Sequence, residues 1–233
     1  MSSQKKYSIS AFWRIWIPLS FFIGLAVFHH IDPIAYVEYI GGELGALENL
    51  QPLILLGALC CAVPMFFQLR HTDDALLKYW VGLAAVCCLY VFLEEISYGQ
   101  HYFGWEADGI WQEINDQQET NLHNTSSWLD QKPRNLLMVG IIVGGLIMPL
   151  LQKYKPGFLP AKYQRFYPSA GLWCVALLGI AAHFLDDIFK KTPAFFDRSS
   201  EIEEAFYYYF TFLYLAMLKK DVVSGIIKNR ATA

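Results

Sequence analysis

Apolar residues in this chain neither alternate nor recur on a single helical stripe. They run on in long blocks, separated by short polar connections. Six such blocks fall near 11–30, 50–69, 79–98, 134–152, 169–188 and 202–219. About 20 apolar residues in a helix cross a hydrocarbon layer about 30 Å thick. Helix is the expected form, because lipid offers no partner to an unpaired backbone group. The pattern therefore predicts an all-α polytopic bundle of six transmembrane helices, with residues 1–233 as one integral membrane domain. The longest connection, 97–133, is too short for a separate soluble domain.

Composition supports this reading. Hydrophobic residues make up 55% of the chain and charged residues 17%, against about 25% charged in soluble domains. The 7 Trp and 14 Tyr suit the aromatic belts found at membrane interfaces. The opening MSSQKKYSISAFWR has a basic stretch before an apolar run, but no small-residue cleavage pattern follows, so the run reads as a retained first span. All five cysteines (Cys60, Cys61, Cys87, Cys88 and Cys174) lie inside apolar runs and so do not report the redox compartment.

Charge then orients the bundle. With the N-terminus inside, the inner segments hold 13 of the 18 basic residues and only Asp73, Asp74 and Asp221 among the 21 acids. This bias predicts both termini on the cytoplasmic side. Basic residues scattered over loops that face anionic headgroups give no support to nucleic-acid binding.

Once oriented, the chain gathers its unusual residues on the outer side. Glu94 and Glu95 stand at the end of the third apolar block, where ionisable groups are costly. If that helix continues, Glu94, Ser97, Tyr98 and His101 share one face. Further on, Glu119 and His123 are four residues apart, a spacing from which two side chains can reach one ion. The fifth block ends in AAHFLDD, with His183 and Asp187 again four apart; a carboxylate one turn from an imidazole can fix its tautomer. Plainer readings stand beside these: a snorkelling helix end for the acids, a solvated amphipathic helix for 116–123, and a satisfied buried His183. Glu201, Glu203 and Glu204 read as favourable helix-start acids. Gly140, Gly144 and Gly145 read as close helix packing, as do the cysteine pairs.

At EEISYGQ and NLHN the chain resembles a group of largely uncharacterised bacterial polytopic membrane proteins with EExSxGQ and NLHN motifs. Two membrane hydrolase groups are similar in chemistry. The CAAX-protease-like family pairs glutamates with later histidines, but Gly99 stands here where its Arg is expected. The ceramidase/CREST group sets Ser, Asp and His at one end of a bundle. These likenesses imply hydrolysis at a membrane boundary.

The expectation is a membrane-embedded, metal-dependent hydrolase of a bacterial inner membrane, with an outward-facing site for a lipid or lipid-linked substrate. Glu94, Glu95 and Ser97 are the candidate catalytic residues. Tyr98, Gln100, Asn121 and Asn124 would bind substrate. His101, Glu119, His123, His183 and Asp187 would supply ligands to zinc or another divalent metal. The alternative is an ion- or proton-coupled carrier, or a membrane-complex subunit, using the same acids and histidines.

Overall fold

The computed structural model describes residues 9–41, 45–70, 72–115, 118–122, 125–189 and 198–225, without the side chains of His101, Ser127, Leu129, Asp130 and 186–189. The described residues form helices and connections and no strands. In chain order, α1 covers Phe12–Ile31, and a short α2 covers Pro33–Tyr39. Next come α3 (Ala46–Leu69) and α4 (Ala75–Glu95). Two small helices follow in the outer connection, α5 (Gln100–Phe103) and α6 (Ile110–Ile114). The rod α7 joins Ser127–Ile141, a wide π turn at Ile142–Ile147, and Met148–Tyr154. The chain then forms α8 (Trp173–Phe189) and α9 (Ser199–Val223).

Four helices are long and apolar enough to cross a membrane: Phe12–Ile31, Ala46–Leu69, Ala75–Glu95 and Gln131–Tyr154. Helix α8 has a shorter apolar stretch, Ala170–Leu185, and α9 is long but dilutes its apolar residues with Glu, Tyr and Lys. The outward faces are apolar, with Ile23, Leu83, Val86 and Leu136 all exposed. Such a surface has a low free energy only against lipid or another apolar partner.

The least apolar long helix is the one most enclosed. Helix α9 buries Ile202, Ala205, Phe206, Tyr207, Tyr208, Phe210, Leu213, Leu215 and Leu218, and every other long helix touches it. Phe21 and Phe22 of α1 meet the Phe206 ring, and Tyr209 donates to the Trp13 carbonyl at 2.7 Å. Gly57 of α3 lies under Phe212, and Tyr208 reaches Glu95 of α4. Gly145 of α7 faces Phe210, and Gly179 of α8 faces Tyr207. The order of these contacts along each helix fixes direction. Helices α3 and α7 run parallel to α9, while α1, α4 and α8 run against it. That alternation is an up-and-down bundle.

At the other end, Asp74 accepts from the Leu77 N–H at 3.1 Å and so caps α4. The same carboxylate takes Arg165 at 2.9 Å, which ties the 155–166 loop down. Tyr214 donates to the Phe166 carbonyl at 3.0 Å and accepts from Trp80 Nε1 at 2.9 Å. The cysteines of the described residues are free thiols, with Cys88 packed among Ala58 and Ala62.

The expected glycine packing holds at two of three positions. A Cβ on Gly145 would lie 2.6 Å from the Ala176 Cβ, and one on Gly144 would lie 3.1 Å from Pro168 Cγ. Gly140 has nothing within 4 Å. Gly145→Ala should therefore cost about 1–3 kcal/mol through overpacking, while Gly140→Ala should be neutral or stabilising by roughly 0.5–1 kcal/mol. Thermal unfolding in detergent distinguishes them; equal midpoints would remove the packing argument.

Candidate functional site

Helix α4 ends at Glu95 and does not carry on to His101. Ser97 (φ 45°), Tyr98 (φ 56°) and Gly99 (φ 104°) follow in left-handed backbone. The single face expected for Glu94, Ser97, Tyr98 and His101 is thus replaced by a sharp reversal. Left-handed Ser and Tyr cost about 1–3 kcal/mol each and persist only where surrounding contacts over-determine them. Those contacts are present. The reversal folds the Tyr98 hydroxyl back to donate to Glu94 Oε1 at 2.8 Å, while the Leu122 N–H donates to Glu94 Oε2 at 2.7 Å. One carboxylate therefore clasps both ends of the outer connection. Burial, and next the bond to Glu94, push the Tyr98 phenol up to about 12, so it stays a donor near neutral pH.

Ser97 is fully buried. Its Oγ donates to Glu119 Oε2 at 3.0 Å and accepts from Asn121 Nδ2 at 2.9 Å. Asn121 Nδ2 also donates to Glu119 Oε2. Asn115 Nδ2 donates to Asn121 Oδ1 at 2.9 Å, and Asn115 Oδ1 accepts from the Glu119 N–H at 3.2 Å. Gln100 Oε1 accepts from the Thr120 N–H at 2.7 Å, and its Nε2 donates to the Gln118 carbonyl at 3.1 Å. Thr120 Oγ1 donates to the Ser97 carbonyl at 2.8 Å. The structure thus joins Glu94, Ser97, Tyr98, Gln100, Glu119 and Asn121 into one interlocked network. The helical spacing expected through Glu119 is not formed: α6 stops at Ile114, and Gln118 is left-handed at φ 56°.

Glu95 points elsewhere, accepting from Tyr208 of α9 at 2.8 Å. His183 turns to α9 as well, its Nδ1 lying 3.0 Å from Glu203 Oε2. The Glu203 side chain is 4% exposed and that of His183 is 29% exposed. An ionised carboxylate only accepts, so Nδ1 carries the proton and Nε2 keeps its lone pair. Glu203, read from the sequence as a plain helix-start acid, is the missed residue here. The signal was its position: it falls one turn before Tyr207, in a helix whose neighbours would bury it. Its companions are also engaged, Glu204 by Arg134 at 3.2 Å and Glu201 by Gln51 at 2.9 Å. Just before α9, Arg198 holds Glu48 at 2.6 Å.

His123 and Asn124, with the side chains of His101 and Asp187, lie outside the described residues. Among the described residues no three His, Cys, Asp or Glu side chains converge as metal ligands, and the His183 Nδ1 is taken by Glu203. The described donor set does not make a zinc site. No family model matches the chain, and no curated protein or solved structure matches it either.

Asn121→Ala removes bonds to Ser97 and Glu119 and should destabilise the connection by about 1–3 kcal/mol, because it orphans buried partners. Limited proteolysis of the purified protein should then cut within 97–122 several-fold faster. An unchanged cutting rate would show that the network does not hold the connection.

Proposed function

We propose that the protein is a membrane-embedded hydrolase of lipid or lipid-linked substrates, working through a His183–Glu203 dyad. In this reading all six long helices span a bacterial inner membrane, both chain ends are cytoplasmic, and the dyad lies near the outer boundary. The carrying observation is the 3.0 Å contact between a buried carboxylate and a partly exposed imidazole. Glu203 holds the tautomer and stabilises the imidazolium that forms, as carboxylate partners of catalytic histidines do.

The step is general-base hydrolysis. His183 Nε2 takes a proton from water as the water oxygen bonds to the ester carbon. The ester C–O bond then breaks, and the imidazolium returns the proton to the departing alkoxide. Such proton transfer typically supplies about 10²–10⁴ in rate. The clasp at Glu94 and the Ser97–Glu119–Asn121 network then act as positioning groups, holding the outer connection over the bundle.

Purified protein in nanodiscs, offered a panel of glycerolipid esters, should release fatty acid or headgroup detectable by mass spectrometry. His183→Ala should lower the rate by about 10²–10⁴, and Glu203→Gln should lower it and shift the pH profile. Turnover untouched by His183→Ala would refute the dyad.

One observation favours a second reading, a proton-coupled carrier. Glu203, Tyr207, Tyr214 and Asp221 stand at i, i+4, i+11 and i+18 of α9, which sets them within about 40° of one face over roughly 27 Å. Proton flux into liposomes that Glu203→Gln abolishes, without lipid turnover, would select it.

A further inference from the structure

Glu203 uses only one of its oxygens. Oε2 meets His183, while Oε1 is buried and makes no hydrogen bond with the protein. One turn along α9, beside it, the Tyr207 hydroxyl is likewise buried and unbonded. The two residues are 3% and 1% exposed, so bulk water does not serve these atoms. Buried polar groups are almost always satisfied by protein, water or ligand. Positions i and i+4 lie on one helix face, so the two atoms are aimed into the same space between α9 and its neighbours.

The room for the Tyr207 ring is made by Gly179 of α8. A Cβ there would come within 2.8 Å of the ring. Arg134 and Glu204 border the place, bonded to each other at 3.2 Å, and the half-exposed His183 stands on its open side. The chemistry of the two atoms is specific. A carboxylate oxygen accepts one hydrogen bond, and a phenol donates one. A group that donates to the first and accepts from the second is a hydroxyl.

We propose that Glu203 Oε1 and Tyr207 Oη form a hydroxyl-binding subsite within the bundle, next to the His183 imidazole. Two sources share this chemistry: a held water molecule and the hydroxyl of a glycerol-type lipid headgroup. The lipid source rests on the hydrolase reading and would select substrates bearing a free hydroxyl near the scissile bond. The water source stands without that reading.

The test needs no turnover. Tyr207→Phe removes a hydroxyl that bonds no protein atom, so the thermal midpoint in detergent should match or exceed that of the wild type. A fall of several degrees would mean that the hydroxyl is satisfied within the protein, and would overturn the subsite. The probe for the lipid source is 1-O-hexadecylglycerol, a non-hydrolysable ether, compared with its di-O-methyl derivative. The free glycerol lipid should bind the wild type about tenfold more tightly than either the methylated lipid or the same lipid on Tyr207→Phe, the worth of roughly one hydrogen bond.

If both lipids bind alike, the hydroxyl is water. Water-edited NMR of ring-labelled Tyr207 should then show magnetisation transfer from a held water. Equal lipid binding with no transfer would overturn the proposal. Neither result depends on catalysis, so a protein that fails to hydrolyse any lipid can still pass or fail this test.

Discussion

A polar group inside an apolar bundle must be met by another protein group, because lipid supplies none. The architecture follows that constraint through α9. This helix carries Glu201, Glu203, Glu204, Tyr207 and Tyr208 within its first turns, and each neighbour answers a different one: α3 brings Gln51, α7 brings Arg134, α8 brings His183 and α4 brings Glu95. A charged side chain near a bilayer centre costs about 2.5–3.5 kcal/mol by insertion scales. Dividing the acids among four partners fixes the rotation of each helix about its axis, which apolar packing alone does weakly.

The adjacent acids of α4 extend the same logic to the outer connection. They point about 100° apart because a helix turns that much per residue. Glu94 faces the connection and accepts from Tyr98 and Leu122, while Glu95 faces α9 and accepts from Tyr208. The pair is a joint, fastening the central helix on one side and the polar connection on the other. The left-handed residues Ser97 and Tyr98 are what let the chain turn tightly enough for Tyr98 to fold back onto Glu94. Non-glycine residues in that backbone are strained. Two charge-assisted bonds to Glu94, each about 1.5–3 kcal/mol, are of the right size to hold them.

The helical class and the apolar blocks were legible because length and hydropathy report them directly. Helix α9 was legible as an element but not as the centre, since enclosure by five neighbours is a tertiary fact that its modest hydropathy disguises. Gly144 and Gly145 were read correctly as packing positions, and Gly140 was not, because a glycine run does not say which member faces a neighbour. The face expected through Ser97 failed on backbone conformation: no side-chain spacing announces two consecutive left-handed residues. Glu119 was singled out for a helical pairing, yet its bonds run to Ser97 and Asn121 in irregular chain. Glu203 was passed over because acids at a helix start have an ordinary electrostatic reason to be there.

That omission changes where the chemistry sits. Glu203 and Tyr208 are five residues apart, about 140° around α9. The face that receives His183 is therefore not the face that receives Glu95. The stretch from Glu94 to Asn121 and the stretch around His183 flank the same helix from different sides. Among the described residues, no bond of His183 reaches that first stretch; its polar partner is Glu203. Coupling between the two passes through α9 itself. A shift of α9 along its axis would strain the Glu95–Tyr208 bond and the His183–Glu203 contact together. The clasped outer connection resists that shift by holding the end of α4. On this geometry, the polar motif around Glu94 sets the depth of α9, and α9 sets the orientation of the imidazole.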